Sequence, residues 1–121
     1  MSYSASFIDE TGYLHARFMG THSPENLLRF LEETHEEGIR SGHTALLLEI
    51  ISEGGSLGFS NLYRVISQRS SAGTKFRKIA YVDLSDRDPS GMTFAENVAA
   101  NRGVNIRLFR DLNEARAWLG G

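Results

Sequence analysis

The chain has no cysteine among its 121 residues, only two prolines and a single tryptophan. Without thiols there are no disulfide staples, no thiolate zinc sites and no cysteine nucleophile, and a reducing cytoplasm is the natural setting. Long apolar runs are missing too. The run from Ala45 to Leu48 is cut at Glu49, far short of the roughly 20 residues that span a bilayer. The start Met1-Ser2-Tyr3-Ser4-Ala5 lacks the basic-then-apolar pattern of a secretion signal. No tract is biased in composition or repeated, so the expectation is one soluble domain covering residues 1–121, with one core.

Positive charge is scarce in the first half. Met1 to Glu53 carries three basic and nine acidic side chains, whereas the remainder carries ten and six, so a net charge of -2 conceals halves of opposite sign. Segregated charge could favour head-to-tail association or an anionic partner, but two solvated faces whose charges complement each other within one fold are the simpler reading. A chain that is acidic overall is a poor nucleic-acid binder, although Arg64, Arg69, Lys75, Arg77 and Lys78 cluster near Phe76 and Tyr81.

Aromatic and branched residues flank Glu10-Thr11-Gly12, which predicts a hairpin of Ser4 to Asp9 and Tyr13 to Met19. Ser23-Pro24-Glu25 supplies an N-cap, a first-turn proline and an acid near the positive helix end. A helix should follow, with Leu27, Leu28, Leu31 and His35 inward and Glu32, Glu33, Glu36 and Glu37 outward, ending at Gly38 to Gly42. Ala45 to Ile51 is apolar with little alternation, as expected of a central strand covered on both faces. Phe59, Leu62, Val65 and Ile66 predict a second helix, Lys78 to Asp83 a strand, and Phe94 with Val98 a third helix ending near Asn101-Arg102-Gly103. Val104, Ile106 and Leu108 alternate as a last strand. A closing helix opens at Asp111 in a capping-box-like spacing to Glu114, with Leu112, Ala115 and Leu119 on one face beside Trp118. The predicted order is β-β-α-β-α-β-α-β-α: an α/β fold with a single mixed, mostly parallel sheet, an N-terminal hairpin and about four helices.

That order, together with the strings Lys78 to Asp83, Phe94 to Gly103 and Glu114 to Leu119, resembles the STAS-like, or SpoIIAA-like, group of short bacterial proteins. The resemblance spans nearly the whole chain. It implies a non-catalytic regulatory or protein-interaction module, or alternatively a Sec14-like carrier or sensor of an apolar or amphipathic ligand, with Met92, Phe94 and Val98 on a lid-like helix. In the sigma-factor-regulator branch a serine at the start of the second helix accepts phosphate. Matching Glu53-Gly54-Gly55-Ser56-Leu57-Gly58 to that branch puts the acceptor position on Gly54, with Ser52 and Ser56 the nearby hydroxyls.

Other chemistries are less well served. Gly54-Gly55-Ser56-Leu57-Gly58 has the form of a nucleophile elbow, but His15, His22, His35 and His43 all precede Ser56, against the chain order of the α/β-hydrolase triad. The same turn lacks the Lys-Ser/Thr ending of a P-loop. A helix-capping turn accounts for it. The histidines show no ligand spacing, so no metal or other cofactor is expected. His35 is read as a partly buried, hydrogen-bonded helix residue, and the other three as loop or strand-surface residues. Ser85 to Gly91 has turn composition, with Asp86 and Asp88 also suiting a polar ligand loop. The candidate ligand- or partner-binding residues are therefore Ser52, Glu53, Gly54, Ser56, Asp83 and Asp86, at the ends of the central strands, acting through backbone donors and carboxylates. No catalytic residue is expected. Another protein or a second copy of the chain, as a homodimer, is the expected partner.

Overall fold

The computed structural model describes residues 3–21, 23–53, 76–83 and 105–120, with Asn97 and Asn101. The opening hairpin is present as β1 (Tyr3–Glu10) and β2 (Tyr13–Thr21), antiparallel, with Glu10 opposite Tyr13 across a two-residue turn. Gly12 adopts φ +89° there, a conformation only glycine takes without strain. Then come helix α1 (Pro24–Ser41) and strands β3 (Ala45–Glu53), β4 (Lys78–Asp83) and β5 (Ile106–Phe109), before helix α2 (Leu112–Gly120). The sheet order is β1-β2-β3-β4-β5, and every pair after the first is parallel. The mixed, mostly parallel sheet is as expected, with Ala45–Glu53 at its centre.

Two helices are seen among the described residues. The second expected helix lies outside them. Of the third, Asn97 and Asn101 are described, and both are helical.

Both caps of α1 are built as the sequence implies. Ser23 Oγ accepts from the Asn26 amide at 3.2 Å, with Pro24 in the first turn. At the other end Gly42, at φ +79°, donates its N–H to the Gly38 carbonyl. The helix therefore runs through Gly38 instead of ending there. Its buried ridge is Leu27, Phe30, Thr34 and Gly38, with Leu28 and Leu31 only partly buried, so the inner stripe is rotated from the expected one. Thr34 escapes notice in the sequence because its hydroxyl is satisfied inside the helix, bonding the Phe30 carbonyl at 2.8 Å. Gly38 has a steric reason: a Cβ built on it would lie 2.3 Å from Phe76 Cζ. The buried ring of Phe76 fills the space that a side chain would need.

Each face of the sheet has its own core. Under α1 lie Leu14, Ala16, Phe18, Leu46, Leu48, Ile50 and Ile79, joined by Leu27 and Phe30. Phe18 and Phe30 meet edge to face at 5.4 Å, and Tyr3 stacks on Phe18 at 5.1 Å. On the opposite face Leu47, Ala80 and Val82 pack against Ala115 and Leu119 of α2. The single-residue offset between Leu46, Leu48, Ile50 and Leu47 is why β3 reads as a continuous apolar run.

The start of α2 is capped by Asp111, whose carboxylate accepts from the Asn113 amide at 3.0 Å, while Glu114 stays exposed. At its other end Lys78 Nζ donates to the Trp118 carbonyl at 2.8 Å and lies 5.0 Å from the indole centroid.

Candidate functional site

Parallel strands that end together bring polar residues to one rim of the sheet. In the register of the sheet Ser52 lies beside Gly20, Glu53 beside Thr21, and Asp83 beside Ile50. Ser52, Glu53 and Asp83 therefore share the carboxyl-end rim of β3 and β4, where α1 also begins. Asn26 closes this corner by donating its side-chain amide to the Thr21 carbonyl at 3.0 Å. Gly54, Ser56 and Asp86 lie outside the described residues, as do Ser85 to Gly91 and the lid-like positions Met92, Phe94 and Val98.

Among the described residues the most charged buried place is elsewhere. Glu49, in the middle of β3 on the α2 side of the sheet, is buried, and its Oε1 accepts from His15 Nε2 at 2.7 Å and from Arg17 Nε at 3.0 Å. Register explains the grouping, because Arg17 stands beside Glu49 and His15 one pleat earlier beside Leu47. His15 is 2% exposed, which corrects its reading as a strand-surface residue. Its Nδ1 is buried without a hydrogen-bond partner, 4.0 Å from Glu10 Oε2. A signal for this trio was present. A carboxylate inside a strand covered on both faces needs a cation, and Tyr13 to Phe18 alternates so that His15 and Arg17 share the face opposite Leu14, Ala16 and Phe18.

The other two described histidines hold no shared site. His35 is partly buried as expected, but its Nδ1 has no hydrogen-bond partner, which corrects the expectation of a bonded side chain. His43 pairs through Nε2 with Asp9, tying the hairpin to the segment after α1. Among the described residues no three His, Asp or Glu side chains are grouped so as to hold a metal ion. No described helix is long and apolar enough to cross a membrane.

The basic cluster divides. Phe76 is in the core, Lys78 is engaged with Trp118, and Arg77 is exposed with its amide bonded to the Thr44 carbonyl at 2.7 Å. Arg64, Arg69 and Lys75 lie outside the described residues.

A five-stranded mixed sheet opening with a hairpin and carrying α1 and α2 on opposite faces defines the SpoIIAA-like fold. The family profile described as SpoIIAA-like matches residues 13–120, and the chain belongs to that family. A crystal structure of an uncharacterised protein of the DUF3478 family with a SpoIIAA-like fold, from Shewanella loihica PV-4, is similar over 97% of this chain and 93% of that one. Its TM-score is 0.57 and its sequence identity 15%, a likeness of fold. No curated protein matches the chain.

Proposed function

We propose that the chain is a non-catalytic regulatory or protein-interaction module of STAS type, working in the cytoplasm and holding its partner near the carboxyl-end rim of β3 and β4. The observation that carries this reading is the close packing of aromatic side chains between α1 and the sheet among the described residues. Tyr3 stacks on Phe18 and Phe7 on Phe30, Phe18 meets Phe30 edge to face, and Phe76 closes on Gly38, whereas a carrier of an apolar ligand needs an open pocket between helix and sheet. The carrier alternative has no support from the family or the fold comparison.

Within this reading Ser52, Glu53 and Asp83 are the rim residues that the register gathers, with Gly54, Ser56 and Asp86 following in sequence. Backbone donors and carboxylates there suit recognition of a polar segment of another protein. A native mass spectrum of the chain purified from its own host tests the reading. The expected species hold the chain with a protein partner or a second copy, and a phosphate adduct would mark a regulatory switch. A retained mass of lipid size would overturn it in favour of the carrier. Ser56→Ala should weaken binding of the co-purified partner; unchanged binding with lower stability would make Ser56 a helix cap instead.

A further inference from the structure

We propose that the outer edge of β1 is the surface through which two copies of this chain associate, each adding its β1 antiparallel to the other's and joining two sheets about a twofold axis. The inference rests on the interaction-module reading and names one of its surfaces. β1 is the terminal strand of the sheet, and among the described strands its backbone pairs with β2 alone. At eight residues it is twice the length of β5, the opposite edge. From Tyr3 to Ile8 it has no proline, no lysine and no other charge to blunt the edge, and no bulge in a register that runs unbroken from Tyr3 opposite Gly20 to Glu10 opposite Tyr13.

The backbone is poised for pairing. Glu10 and Tyr13 close a two-residue loop, where a hairpin pair exchanges both of its hydrogen bonds. Alternation from there turns the N–H and C=O groups of Tyr3, Ala5, Phe7 and Asp9 toward the free edge. Charge then selects the direction in which a second copy pairs. The only charged side chains of β1 are Asp9 and Glu10, at its carboxyl end. A parallel neighbour would set both pairs of carboxylates side by side. An antiparallel one separates the two Asp9 by about 14–20 Å of strand, depending on the register, more than the screening length of about 8 Å in salt of about 0.15 M. Asp9 is also held by His43.

Side chains fit the same arrangement. Ile8, 40% exposed, would lie opposite Ser4 or Ser6 of the second copy in the two central registers that keep the faces aligned. Phe7 would meet Ala5 or Phe7 on the α1 side. Small hydroxyl residues and a covered isoleucine leave no charge buried at the junction.

The test combines light scattering of the full chain with amide exchange at high and low protein concentration. The expected result is a dimer in which the amides of Ala5, Phe7 and Asp9 exchange at least about tenfold more slowly than in the dilute monomer. Ser6 and Ile8, already bonded to β2, should change little. Ala5→Pro removes an outward N–H without touching a bond to β2, and should convert the dimer to a monomer with unchanged circular dichroism. Should that variant not fold, the exchange pattern still decides. A chain that stays monomeric at all concentrations overturns self-pairing, and leaves the interaction-module reading standing if a different protein is retained in the native spectrum. A dimer whose Ala5, Phe7 and Asp9 amides exchange as fast as in the monomer overturns the choice of surface.

Discussion

Glu49 and His15, 34 positions apart in the chain, are joined by a 2.7 Å hydrogen bond in the sheet, both of them less than 4% exposed. Arg17 completes the arrangement from a position 36% exposed, with its Nε on the same carboxylate oxygen. The energetics of the three members differ for that reason. A guanidinium near the surface can turn to water when its partner is lost, whereas a buried imidazole cannot.

Glu49→Ala should therefore destabilise the fold by about 3 kcal/mol, since His15 Nε2 loses its partner inside the sheet. Arg17→Ala should cost about 1 kcal/mol or less. The double substitution His15→Leu with Glu49→Leu should recover most of the loss, because apolar pairs commonly replace buried ionic ones without penalty. Urea unfolding of the three variants is the measurement. A double variant no more stable than Glu49→Ala would show that the trio contributes beyond the polar satisfaction of its own members.

Gly38 and Phe76 provide a second, purely steric test. Alanine at 38 gains about 1 kcal/mol of helix propensity but brings its Cβ 2.3 Å from the ring of a buried phenylalanine. Against an overpacking cost of about 1–3 kcal/mol, Gly38→Ala should lower stability by up to about 2 kcal/mol. Gly120→Ala, where a Cβ meets nothing within 4 Å, should stay within about 0.5 kcal/mol of the parent. Adding Phe76→Leu to Gly38→Ala should relieve part of the clash, and parallel denaturation curves would show it.

These two sites also mark where the sequence was legible and where it was not. Elements announced by local chemistry were readable: the Gly12 turn, the Ser23-Pro24 cap, and the apolar run of β3. Features set by contacts between distant segments were harder. Gly38 looks like a helix stop until Phe76, 38 residues later, is placed against it, and His15 looks like a surface residue until register brings it to Glu49. The rim residues Ser52, Glu53 and Asp83 could be brought together from strand order alone, because parallel strands end on one side. The inner stripe of α1 differs from the expected one because Thr34 is polar by composition yet satisfied by its own helix.

Tyr3 gives the fold a dependence on alkaline pH. Its hydroxyl donates to Glu33 Oε1 at 2.5 Å, and burial, followed by that hydrogen bond and the charge of Glu33, pushes the phenol up to about 12 from 10.0. The folded state thus holds the proton more tightly than the unfolded chain. The contribution is complete below pH 10 and is lost as pH rises from 10 toward 12. Thermal melts should show a fall across that window that is shallower in Tyr3→Phe, a variant that also loses about 1 kcal/mol at neutral pH with the hydrogen bond. Equal pH dependence in both proteins would place the alkaline transition elsewhere.

The docking of α2 depends on its two ends, and they predict different behaviour. Asp111 stabilises the first turn by accepting from the Asn113 amide, so Asp111→Ala should cost about 1 kcal/mol, while Asp111→Ser should restore most of it because a hydroxyl can accept the same bond. Lys78 reaches the other end from β4, bonding the Trp118 carbonyl and covering the indole. Lys78→Met keeps the apolar stem and removes the charge that faces the carboxyl end of the helix. A loss of about 0.5–1 kcal/mol is expected, accompanied by a change in Trp118 fluorescence because the cation leaves the ring. Trp118 is the only tryptophan in the chain, so that signal comes from this one ring, which also packs against Phe109 at 5.6 Å. A variant that lost stability with unaltered emission would assign Lys78 to the sheet and not to the helix end.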